Sequence, residues 1–86
     1  MNKLQKTLIA LMNDYEDSYK AQAEAQMVEV LETHSRIVDY AETIEVDLCE
    51  EDAELISKAG LEWIDNFTNG DEEWDFYRDD ALKRLD

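Results

Sequence analysis

Proline is absent from this chain of 86 residues, and glycine occurs only at Gly60 and Gly70. A fold of many tight turns has little to build them from, so long helices are expected rather than a β-sandwich or barrel. Cysteine occurs once, at Cys49, so no disulfide can form within the chain and a reducing compartment is expected. Long apolar runs are also missing. No stretch approaches the roughly 20 residues of a membrane span, and Asn2 to Leu11 lacks the features of a signal peptide. The expected location is the cytoplasm, where the sequon Asn66-Phe67-Thr68 carries no meaning. Cations are scarce too. Eight Lys and Arg, nowhere gathered into a patch, speak against direct contact with nucleic acid and against attraction to anionic lipid.

What the chain has in excess is negative charge. Asp and Glu number 23, giving a net charge of −15. Solubility asks for a net charge of only about 2 to 8 in magnitude, and the surplus repels itself at some cost in stability. Halophilic chains share this acidity but usually avoid large aromatics, whereas this one has two Trp and four Tyr. Binding a cationic partner is the simpler reason. The hydrophobic fraction, 44%, is enough for a core, so residues 1–86 are expected to form a single acidic helical domain.

The expected fold is all-α, a small bundle of three or four helices. Asn2 and Gln5 have the spacing of a capping box. Leu4, Leu8, Leu11, Tyr15 and Tyr19 follow on one helical face, and Met27, Val30, Leu31, His34, Ile37, Val38, Ala41 and Ile44 continue the spacing. The first helix can therefore be very long, from Asn2 to about Glu45, or be broken near Asp17, where cap-preferring residues cluster. Ile44, Val46 and Leu48 alternate with acids like a strand, but no other segment clearly offers a pairing partner, so a helix end followed by a short extended connection is expected. Asp47 with Glu50 resembles a second capping box. The next helix carries Leu55, Ile56, Ala59, Trp63, Ile64 and Phe67 on one side, with Gly60 there to let another helix approach closely. Asn69-Gly70 suits a helix end and Asp71 a cap for the last helix, which turns Trp74, Tyr77, Ala81, Leu82 and Leu85 inward.

Catalytic chemistry finds little to work with. The single His34 falls at core spacing, and Cys49, next to Glu50 and Glu51, is a poor nucleophile better read as a small buried hydrophobe. Among 23 carboxylates a pair suited to acid–base work has no specificity. Asp65 to Glu73 resembles the start of an EF-hand loop, with Asp65, Asn69 and Gly70 in place. Phe67 and Phe76, however, stand where a ligand and the bidentate Glu belong. No enzyme, metal or cofactor is expected.

The distribution of the acids is more informative. From Ile37 to Tyr77 there are fourteen acids and one base, Lys58. Asp39, Glu42 and Glu45 would follow one another along a helix at roughly 5–6 Å. A carboxylate row of this kind can imitate a row of phosphates and accept the same bidentate bonds from arginine. The expected contact surface comprises Asp39, Glu42, Glu45, Asp47, Glu50, Glu51, Asp52, Glu54, Asp71, Glu72, Glu73 and Asp75, with Phe76 as an exposed aromatic anchor among them. In composition, and in its acidic stretch from Asp39 to Asp80, the chain resembles the acidic DNA-mimic inhibitors of phages and mobile elements, including anti-restriction and anti-CRISPR proteins. Nuclease-neutralising immunity proteins are similar in size and charge. The resemblance implies a binding protein that occludes the basic surface of a nucleic-acid-binding protein or nuclease complex. The bland counterpart is a solvated acidic face. A distinct alternative is a homodimeric structural, assembly or adaptor protein whose acidity serves solubility, with Leu4, Leu8, Leu11, Tyr15, Met27, Leu31, Ile37 and Ile44 as its seam.

Overall fold

The computed structural model describes residues 2–68 and 74–86, without the side chains at 67, 68, 74 and 75. It is all-α, with five helices among the described residues rather than three or four: α1 Lys3–Lys20, α2 Ala25–Glu32, α3 His34–Thr43, α4 Glu50–Thr68 and α5 Trp74–Lys83. No described helix is long and apolar enough to cross a membrane.

The start of α1 follows the sequence pattern. Gln5 N–H donates to Asn2 Oδ1 at 2.8 Å and Asn2 N–H to Gln5 Oε1 at 3.1 Å, closing a capping box. The same two amides reach the far end of the chain. Asn2 Nδ2 donates to the Leu85 carbonyl at 2.9 Å and Gln5 Nε2 to the Leu82 carbonyl at 3.1 Å, which satisfies acceptors left open where α5 ends.

The long first helix does not form. Asp17 lies inside α1, and the chain breaks after Lys20 and again at Thr33. Both α1 and α3 end in a Schellman motif. After α1, Ala23 N–H donates to the Ser18 carbonyl and Gln22 N–H to that of Tyr19; after α3, Val46 N–H donates to Ala41 and Glu45 N–H to Glu42. Each motif needs one left-handed residue, and here these are Gln22 (φ 59°) and Glu45 (φ 62°). The break at Thr33 is smaller: one extended residue (φ −118°, ψ 109°) between α2 and α3. A short connection without regular structure follows Glu45, and α4 begins at Glu50, so Asp47 stands too early to cap it.

Helix α4 packs against each of the other four helices. Leu8, Leu11, Met12 and Tyr15 of α1, Leu31 of α2, Ile37 and Ala41 of α3, and Ile56 and Trp63 of α4 are buried together. Tyr15 meets Trp63 edge-on, with ring centroids 5.6 Å apart. Five of the residues offered above as a dimer seam, Leu8, Leu11, Tyr15, Leu31 and Ile37, are consumed by this core and cannot form an interface in the folded chain. The side chains of Phe67 and Trp74 lie outside the described residues.

Other expected core positions turn outward. His34 is exposed because the break at Thr33 resets the helical phase between Leu31 and Ile37. Cys49 is exposed at the entry to α4, where its carbonyl accepts from Ala53 N–H. Tyr19 and Ile44 are exposed at the ends of α1 and α3, and Leu55 is 52% exposed. Leu55 falls outside the arc of α4 that Ala53, Ile56, Ser57, Ala59, Gly60, Trp63 and Ile64 bury.

Gly60 is where α2 and α4 meet. A Cβ on Gly60 would stand 2.8 Å from Leu31 Cδ2, closer than real contacts allow. Beside it the buried hydroxyl of Ser57 donates to the Leu31 carbonyl, an acceptor in the last turn of α2. Gly60→Ala should gain about 1 kcal/mol of helix propensity and lose about 1–3 kcal/mol to overpacking. A net loss of stability is the expected result in urea unfolding, and a net gain would show that Leu31 moves aside freely.

Candidate interaction surface

Seven of the acids expected at the surface are exposed along one course of the chain. Asp39 and Glu42 project from α3, Glu45 stands at its end, Asp47 lies on the connection, and Glu50, Glu51 and Glu54 project from the first turns of α4. Asp52 differs. It is half-buried and pairs with Lys3 Nζ at 3.5 Å, clipping α4 to α1. Asp71, Glu72, Glu73 and the side chain of Asp75 lie outside the described residues, as do the Asn69-Gly70 and Asp71 caps and most of the EF-hand-like segment. Phe76 is 63% exposed on α5, its ring edge-on to Tyr77.

Four of the eight cations are used as clips between elements. Lys3 joins α1 to α4, Arg36 pairs with Glu29 at 3.4 Å across the Thr33 break, Arg78 reaches Glu16 and Asn13 of α1, and Arg84 pairs with Glu62 of α4 and with Asp80. Among the described residues, these pairs draw only Asp52 from the acidic course. The remaining seven carboxylates face solvent.

Local electrostatics divides the course in two. Glu50 and Glu51 sit in the first turn of α4, where the helix dipole favours anions by about 0.3–1 kcal/mol each. Glu42 and Glu45 are at the opposite, negative end of α3, whose last turn holds no base. Glu45 is also left-handed, a conformation that costs an L-residue about 1–2 kcal/mol and that glycine adopts without strain. Sequence periodicity could not reveal this, because no glycine marks the turn.

Two tyrosines, Tyr40 of α3 and Tyr15 of α1, are held neutral by their surroundings. Tyr40 donates to the Asp14 carboxylate, joining α3 to α1. Burial, then the hydrogen bond to Asp14 and the Asp14 charge, hold the Tyr40 hydroxyl well above the ordinary phenol range. Burial also raises Tyr15, helped by the negative charge of Glu24 and by Tyr19. Both hydroxyls therefore stay neutral and add nothing to the surface charge at physiological pH. Among the described residues, no group of three or more His, Cys, Asp or Glu is placed to hold a metal ion.

No protein-family model, curated protein or solved structure matches this chain. The surface must be read from its own chemistry.

Glu45→Gly and Gln22→Gly each relieve a left-handed residue, and each should raise stability by about 1 kcal/mol. Chemical denaturation of the two variants checks this. A loss of stability in either would mean that its side chain makes a compensating contact.

Proposed function

We propose that this chain is an acidic binding protein that occludes the basic, nucleic-acid-binding surface of a partner protein, in the manner of a DNA-mimic inhibitor of an anti-restriction or anti-CRISPR kind. The observation that carries this reading is the course of seven exposed carboxylates from Asp39 to Glu54, none of them in an ion pair among the described residues. A surface built only for solubility would gain by putting glycine at position 45 and a base at the end of α3. Instead, Glu42 and Glu45 occupy positions where the local backbone disfavours an acid. Residues held at local cost are concentrated where function needs them.

The seven carboxylates offer arginine planar, bidentate acceptors, as phosphates do. Their field, on a chain of net charge −15, attracts a basic surface from beyond contact and speeds encounter. The partner class this fits is a nucleic-acid-binding protein or nuclease complex, whose cationic groove is already shaped for a row of negative charge. The chain performs no chemistry in this role and needs no cofactor.

The immobilised protein should capture such a partner from host lysate, and duplex DNA should compete the partner away. Replacing Glu50, Glu51 and Glu54 together by Gln should weaken retention about tenfold, given up to about 1 kcal/mol per solvent-exposed charge pair. Asp52 is left unchanged because it clips α4 to α1. Full retention of the partner by the triple variant at low salt would contradict the proposal.

A further inference from the structure

A groove of about 310 Å³ opens between α4 and the last turn of the chain, lined by Leu55, Lys58, Ala59, Glu62, Arg84 and Leu85. Its α4 residues follow the i, i+3, i+4, i+7 spacing of one helical stripe. Ala59 and Leu85 are buried and form its floor, while Leu55 stands half open to solvent as an apolar wall on a helix side otherwise given to charge. The charges at its rim are unequal. Arg84 is taken up by two carboxylates, Glu62 of α4 and Asp80 of α5. Exposed Glu51 lies one turn before Leu55 on the same stripe, and Glu54 is exposed beside it. Lys58 is the remaining cation in the lining.

We infer that this groove receives an apolar side chain from a cationic amphipathic segment of the partner, whose arginines or lysines meet Glu51 and Glu54. The inference rests on the acidic-surface reading and adds to it the anchor that a purely electrostatic contact lacks. Size argues for a side chain rather than a whole helix. At about 30 Å³ per molecule the groove holds roughly ten waters, which one or two aliphatic or aromatic side chains would displace. Charge argues for a cationic segment. A second copy would bring another −15 against the same acids, and an anionic ligand would meet the same repulsion. A cationic segment meets complementary charge at the Glu51 and Glu54 end of an apolar seat, an arrangement in which the anchor supplies affinity and the flanking charges supply orientation.

Two synthetic peptides of equal length and equal charge test this. One spaces arginines with leucines at helical intervals; the other carries serine in place of every leucine. Their binding to the whole protein is measured by calorimetry at low salt. The leucine peptide should bind about tenfold more tightly than the serine peptide, the effect of burying one aliphatic side chain. Leu55→Ala should abolish most of that difference and leave the serine peptide unaffected; Leu55 is more than half exposed, so the core survives the change. Lys58→Glu should tighten both peptides severalfold. Equal binding of the two peptides to the wild type, or a difference that survives Leu55→Ala, would overturn the groove assignment while leaving the acidic surface standing. Failure of both peptides to bind would remove the acidic-surface reading and this inference with it. A dimer in sedimentation that Leu55→Glu splits would place a second copy in the groove and overturn the inference.

Discussion

The seat of Leu31 on Gly60 is the contact on which the rest of the arrangement turns. Helix α4 packs against each of the other described helices, and Gly60 is the point at which it admits Leu31 of α2 closely, with Leu8 of α1 beside it. Ser57, one turn earlier on α4, takes the Leu31 carbonyl at the same place. Together these hold the end of α2 to α4, and the helix is broken just beyond, at Thr33. Ile37 and Ala41 then face the core, and Asp39 and Glu42 face solvent. A larger residue at position 60 would push α2 outward, and the orientation of α3 depends on where α2 ends.

From that geometry the charge pattern acquires its form. A chain of net charge −15 must keep carboxylates out of a small core and hold its helices together against their mutual repulsion. Lys3, Arg36, Arg78 and Arg84 contribute to this at junctions between elements, each facing an acid on a neighbouring segment. Exposed pairs of this kind contribute little individually, about 0–1 kcal/mol. Their placement nevertheless decides which acids are screened and which are not. Asp52, Glu16, Glu29, Glu62 and Asp80 are partnered, and the course from Asp39 to Glu54 otherwise presents its charge outward. Packing and charge thus combine to gather an acidic surface around the junction of α3 and α4.

Much of this was legible in the residues, and what was not has definite causes. The all-α class followed from the lack of proline and glycine, and the Asn2–Gln5 box from side chains whose only good local use is to cap. Gly60 could be read as a close approach because it stands on an apolar stripe. The end near Glu45 showed as a change of period, but the break after Lys20 was hidden, because Gln22 occupies a left-handed position that glycine normally advertises. The break at Thr33 was hidden too, since a single extended residue leaves the apolar spacing of the sequence intact, and His34 was misplaced by the phase change there. Leu55 was misjudged for another reason: hydrophobic identity was taken for burial on a helix whose inward side was already filled by Ile56 and Trp63. Of the acidic surface, the sequence showed which residues are dense in charge. It could not show that Asp52 is diverted to Lys3, since that pair joins residues far apart in the chain.

The most direct test of the account is the ionic-strength dependence of affinity for the captured partner, measured by titration from low to high monovalent salt. A contact made by the exposed carboxylates from Asp39 to Glu54 predicts affinity that falls steeply as the screening length shortens from about 30 Å at 0.01 M to about 3 Å at 1 M. Affinity that stayed level, or rose, across that range would show that the acids do not carry the contact and that their place on this surface serves solubility.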